Sequence, residues 1–268
     1  MSTATVFAPP RKPASLSDCV FYHTMEIPGH GLIQADWDLR PNIDQYLGQV
    51  DFRGKRVLDV GTASGYLSFH MESRGADVVS YDLSREFPFE CAPSRYNHRR
   101  QVDEYRRYID AVNNGYWLTH RALKSRAQMV YGTVYKMPRT IGPVDVAVFG
   151  SILLHLRDPF LALQNALRLT TEKVVVAELL CDPNDVYAGP HMVFAPEYWK
   201  EVGQGTWWRL TPALVQRFVA ALGFEKTTTT YHEQLHYGNT WKMFTVVGER
   251  TQPRDDLAWQ DEIDPSRN

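Results

Sequence analysis

Asp59, Gly61 and Gly65 stand in one short stretch, DVGTASG, and a second acid, Asp82, follows about twenty residues later. Glycines at this spacing leave the backbone bare enough for a ligand to approach, and a helix opening on Tyr66 would aim its first N–H groups at that ligand. An acid at the end of the next strand accepts hydrogen bonds from both hydroxyls of a ribose. The chemistry these residues suit is therefore the binding of a cofactor that carries a nucleoside. A nicotinamide dehydrogenase uses the same strand, turn and acid, and a purely structural glycine turn has the same composition, so the loop alone leaves three readings open.

The elements around the loop must deliver it to the edge of a sheet. Residues 55–60, KRVLDV, are apolar apart from the basic start and Asp59, which predicts a central strand covered on both faces. An amphipathic stretch over 66–74 predicts the helix, and GADVVSYD predicts a second strand ending at Asp82. Apolar runs then alternate with helical patterns as βαβ units do, which predicts a mostly parallel sheet.

A chain of 268 residues that is 44% hydrophobic supports one substantial core, so the reading is a single domain over 1–268. Within it, 1–50 form a cap before the first strand, 84–124 an inserted lid after the second, and 249–268 a polar tail; both ends read as loosely ordered. A formal net charge of -2 gives no global attraction to a polyanion, which favours a small acceptor over nucleic acid. Cys19, Cys91 and Cys181 are isolated, without zinc spacing or a disulfide framework, as suits a reducing cytoplasm and no metal. No targeting pattern opens the chain and no apolar run reaches the roughly 18 residues a membrane span needs. Oligomeric state is open, with a homodimer compatible.

Taken together, these segments resemble the cofactor-binding region of class I methyltransferases that use S-adenosylmethionine (SAM). The family's first motif is matched by Asp59 to Gly65, with Ala63 where a middle glycine is usual; no third glycine falls at dehydrogenase spacing. The resemblance continues at YGTVYKMP, residues 131–138, and at VDVAVFGSILLHLRDP, residues 144–159. A fifth strand over 173–180, a helix over 211–222 and an antiparallel pair over 226–231 and 241–247 complete the order. It covers about 53–248. It implies a Rossmann-like, three-layer fold with a seven-stranded, mostly parallel sheet. It also implies cofactor contacts from Asp59, Gly61, Ala63, Gly65, Tyr66, Asp82, Leu83, Thr133, Val134, Gly150 and Ser151, with Arg40 offered to the cofactor's carboxylate. FRGKRVLD, residues 52–59, and LHLRDP, residues 154–159, are similar to the enzymes related to the tRNA wobble-uridine carboxymethyltransferase.

For methyl transfer, cofactor chemistry supplies most of the reactivity and few side chains need be catalytic. His155 is the first candidate base for a hydroxyl or acidic carbon, because its pKa suits neutral pH. Capping the following helix is the alternative. Glu178, near the end of the fifth strand, is the second candidate. Tyr22, His23, Trp37, Trp117, His191 and Trp207 are candidates for the acceptor pocket, although aromatic residues in the 84–124 insert read more often as its own core. The expected function is transfer of a methyl group to an O, N or C atom of a small metabolite. The alternatives are a tRNA-modifying (carboxy)methyltransferase, using carboxylated SAM and the basic stretch SRYNHRRQVDEYRR at 94–107, or a NAD-binding oxidoreductase. A solvated helix face explains that stretch equally well.

Overall fold

The computed structural model describes residues 6–13, 15–87, 90–92, 99–186, 188–197 and 205–253. Before the first parallel strand come a hairpin of β1 (Met25–Ile27) and β2 (Gly31–Ile33), the short β3 (Trp37–Asp38) and α1 (Ile43–Tyr46). There follow β4 (Arg56–Val60), α2 (Tyr66–Ser73), β5 (Asp77–Asp82), α3 (Arg99–Leu123), β6 (Gln128–Tyr131), β7 (Val144–Gly150), α4 (Pro159–Leu167) and β8 (Thr170–Leu179). The chain continues through a small ribbon of β9 (Met192–Phe194) and β10 (Trp208–Leu210), then α5 (Pro212–Ala221), β11 (Lys226–His236) and β12 (Asn239–Glu249).

The main sheet runs β3-β11-β12-β8-β7-β4-β5-β6. Its five strands from β6 to β8 pair in parallel, and β12, β11 and β3 add antiparallel at one edge. This is the mostly parallel α/β sheet that the apolar runs predicted, with eight strands among the described residues instead of seven. The extra strand is β3, in which Trp37 and Asp38 pair with His236 and Leu235. The N-terminal segment is also less loose than expected, since the Ala8 N–H donates to Met129 O at 2.8 Å and Arg11 pairs with Asp110. Of the polar tail, 254–268 lie outside the described residues.

Apolar side chains on both sides of the central strands explain why β4 carries no alternation: Val57, Leu58 and Val60 are all fully buried. One face packs against α4 and α5 through residues such as Leu163, Ala166, Val215 and Val219. The other face packs against α1, α2 and α3 through Tyr46, Leu67, Met71, Tyr116 and Trp117. These are the three layers. Asp158 caps α4 by accepting from the Leu161 N–H at 2.9 Å, and Thr211 caps α5, each followed by a proline in the first turn.

From β4 the chain builds outward through β5 to β6, then crosses back to lay β7 on the other side of β4. That reversal opens a crevice at the carboxyl ends of β4 and β7, where open α/β sheets hold their ligands.

Gly65 starts α2 with φ +90°, and a Cβ there would stand 2.4 Å from Phe69 and 2.7 Å from Tyr116, whose rings are buried. Gly65→Ala is therefore expected to lower the unfolding free energy by roughly 2–4 kcal/mol, through left-handed strain and overpacking together. Denaturant unfolding of the variant beside the parent measures it.

Candidate functional site

At the exit of β5 the Asp82 carboxylate accepts two backbone N–H groups, from Ala63 at 2.6 Å and from Leu83 at 2.6 Å. It thereby joins the loop after β4 to its own loop. Burial pushes its pKa up to about 6 despite these bonds. The loop after β4 is held again by the Gly61 N–H donating to Tyr81 O at 2.8 Å, and it passes through left-handed φ at Gly61 (+81°) and Ala63 (+50°). Ala63 in that region carries strain that glycine would not, as does Ser151 (+53°) after β7.

Asp59 lies beneath this loop, fully buried. Tyr116 O–H donates to Ser80 Oγ at 3.0 Å, and a chain of hydroxyls through Ser68 ends on Asp59 Oδ2 at 2.7 Å. Its other oxygen, Oδ1, has no hydrogen-bond partner among the described residues, and burial raises the carboxyl's pKa to about 6.

Above the strand exits is a cavity of about 310 Å³. Gly61, Ala63, Asp82, Leu83, Thr133, Val134, Gly150 and Ser151 line its floor, so eight of the expected cofactor residues meet there. Its walls include Tyr22 and His23 from the N-terminal segment, Tyr105, Tyr108, Ile109 and Val112 from α3, and His155 and Leu156 after β7. The volume and the mostly apolar lining suit a small-molecule site.

His155 Nδ1 lies 2.6 Å from Gly205 O, which makes Nδ1 the donor and leaves the lone pair on Nε2. Burial lowers its pKa, so the ring is neutral at pH 7. Glu178 does not line this cavity. It is fully buried at the end of β8, accepts the Leu153 N–H at 2.7 Å, and holds the turn Leu153–His155 that carries the imidazole. Burial drives its pKa up to about 8.

The profile of a family described as "Methyltransferase domain" matches residues 34–229, from the N-terminal segment into β11. The chain belongs to this methyltransferase family. Among solved structures it resembles the N-terminal domain of EvdMO1, crystallised in the presence of SAH and D-fucose, with a TM-score of 0.52, 15% identity, and 88% of this chain and 93% of that one covered. It also resembles the magnesium protoporphyrin IX methyltransferase of Synechocystis PCC 6803 with bound SAH, at a TM-score of 0.51, 11% identity, and 80% and 82% covered. These likenesses show the shared fold. The tRNA U34 carboxymethyltransferase of Pseudomonas syringae pv. tomato is 25% identical over 232 residues, which span 83% of this chain and 63% of that protein. The match to the methyltransferase family sets aside the oxidoreductase alternative.

Several residues expected at this methyltransferase's pocket are placed elsewhere. Arg40 is spent on Asp38, with Nη2–Oδ2 at 2.6 Å, because a cation two residues from an acid in a tight turn pairs locally. Trp37 stacks on His236 at 4.4 Å in the edge strand. Trp117, on α3, is buried in the core, and its indole N–H donates to the Tyr131 hydroxyl oxygen at 2.9 Å. His191 is exposed, with Nδ1 on Gly189 O, and Trp207 is buried near Arg157. Gly65 and Tyr66 shape the start of α2 and do not line this cavity; Tyr66 packs against His23 and His70. Of the 84–124 insert, the front of α3 walls the cavity while Tyr116, Trp117 and Leu118 are core.

The sequence reading missed Glu90 and Tyr135, which both line the cavity. The Tyr135 hydroxyl donates to Glu90 Oε2, which also accepts the Arg157 N–H at 3.0 Å, so one carboxylate ties together the exits of β5, β6 and β7. Partners 45 residues apart leave no local signal.

The raised pKa of Glu178 makes a stability prediction. Between its unfolded value of 4.5 and about 8, the folded chain keeps a proton that the unfolded chain has lost, so stability falls as pH rises through that window and levels off above it. Glu178→Gln keeps the acceptor for Leu153 and removes the titration. The difference in melting temperature, variant minus parent, is expected to grow from pH 4.5 to about 8, and thermal scans across that range read it.

Proposed function

We propose that this member of the SAM-dependent methyltransferase superfamily places a methyl group on an oxygen, nitrogen or carbon atom of a small molecule. The observation that carries the reading is the cavity itself, a walled space above the strand exits with a neutral imidazole on its side and a buried carboxylate on its floor.

The residues present fit the cofactor. Asp82 gives two lone-pair positions to Ala63 and Leu83 and keeps others for a ribose diol. Leu83, Thr133 and Val134 offer a border for adenine, and the bare backbone at Gly61 and the small Ala63 leave room for the methionine part. When bound, SAM supplies a methyl carbon on a positively charged sulfur, which keeps the bonding electron pair as the methyl leaves. The protein's own tasks are orientation and proton handling. His155 Nε2 takes the proton of a hydroxyl or acidic carbon acceptor, with Nδ1–H anchored on Gly205 and the turn beneath fixed by Glu178. A neutral amine attacks through its own lone pair and gives up its extra proton to solvent after the methyl has arrived, so it needs no positioned base.

A tRNA acceptor is the second reading, favoured by the distant carboxymethyltransferase relatives, of which this chain spans less than two thirds. Of the basic stretch that would serve it, Arg95 and His98 lie outside the described residues, and Arg106 pairs with Asp103 at 3.5 Å.

Asp82→Ala is expected to weaken SAM binding by about 10- to 100-fold, the worth of one or more charged hydrogen bonds. His155→Ala is expected to leave binding unchanged and slow turnover of a hydroxyl acceptor by about 10²- to 10⁴-fold. Because burial lowers the His155 pKa, its base form persists below pH 6.5, and turnover falls only at a more acid pH, on a limb absent from the variant. Calorimetry and pH–rate profiles check these; equal loss of binding in both variants contradicts the division of roles.

A further inference from the structure

We infer that the acceptor is an uncharged aromatic molecule bearing a hydroxyl, seated against one stripe of α3 with the His23 imidazole as its hydrogen-bond partner. The inference rests on the small-acceptor reading above and names the class of molecule that reading leaves open.

The stripe is the first observation. Tyr105, Tyr108, Ile109 and Val112 are spaced i, i+3, i+4 and i+7, so they share one face of α3. Further along the helix Tyr116 and Trp117 pack into the core under the sheet, but these four line the cavity. An apolar helical face normally buries itself against protein; here Tyr108 remains 42% exposed beside the open space. Tyr22, Tyr135 and Leu156 line the same cavity. Rings pack best against such walls, by offset stacking or edge to face.

His23 is the second observation. It is 7% exposed, lines the cavity, and its Nδ1 is buried with no hydrogen-bond partner among the described residues. Burial lowers its pKa to about 3, so the ring is neutral near pH 7 and presents one donor and one acceptor. A buried polar atom left unpaired is costly, and a ligand hydroxyl that pairs with it recovers that cost. Its ring sits between Tyr22 and Tyr66 at centroid distances of 5.1 and 5.6 Å, which fixes its place in the wall.

Charge points the same way. The carboxylates that line the cavity, Asp82 and Glu90, already hold N–H or O–H donors. Among the described lining residues there is no lysine or arginine to meet an anion. An uncharged ring enters such a space without the desolvation cost that an ionised group carries.

The test titrates protein saturated with SAH, at pH 7, with three probes of matched size: 2-naphthol, 2-naphthoate and decahydro-2-naphthol. The expected result is binding of 2-naphthol at least tenfold tighter than the anionic or the saturated compound. Tyr108→Ala and His23→Phe should each weaken 2-naphthol at least fivefold while leaving SAH affinity unchanged, which shows that both variants fold. With SAH bound normally, failure of 2-naphthol to bind, equal binding of 2-naphthoate, or full affinity in His23→Phe overturns this inference and leaves the methyltransferase reading standing. Failure of the parent protein to bind SAH overturns both.

Discussion

The Asp82 carboxylate, bonded to the N–H groups of Ala63 and Leu83, is the contact on which the site depends. The crevice exists because β5 and β7 lie on opposite sides of β4, so the loops leaving them part above it. A single buried anion receiving two backbone donors fixes the separation of two of those loops. It also leaves an acceptor surface facing the space between them. Burial raises its pKa to about 6, so it is still chiefly ionised at neutral pH, when both N–H bonds are at their strongest.

Other carboxylates do related work with different partners. Glu178 fixes the turn that presents His155, and Glu90 joins three strand exits across the cavity. Asp59 ends a chain of hydroxyls running from Tyr116 under the glycine loop, with one oxygen unpaired. Positive φ at Ala63 and Ser151 shows that the loops accept strain where they meet the cavity. Rigid strands below and anchored loops above give the preorganisation that a reaction governed by alignment needs.

Much of the fold was legible because central strands buried on both faces read as largely apolar runs, each carrying a single acid, Asp59 in β4 and Asp145 in β7, and because Asp82 closes β5 and His155 stands in the turn after β7. What was not legible depended on distance or on phase. A strand as short as Trp37–Asp38 has no periodicity, so the eighth strand was invisible. Strands β11 and β12 run further than expected because their outer halves are polar and the turn joining them is Tyr237-Gly238, not a familiar Asn-Gly pair. The phase of α3 was available: Trp117 lies off the stripe of Tyr105, Tyr108, Ile109 and Val112. The chemistry of Arg40 and Glu178 alone suggests a ligand for each, but Asp38 and the Leu153 N–H satisfy them first.

The most direct test of the account is a calorimetric titration of the purified chain with SAM, with SAH and with NAD, side by side. Micromolar binding of SAM and SAH with no heat from NAD is expected. Binding of NAD in the absence of SAM and SAH binding would contradict it.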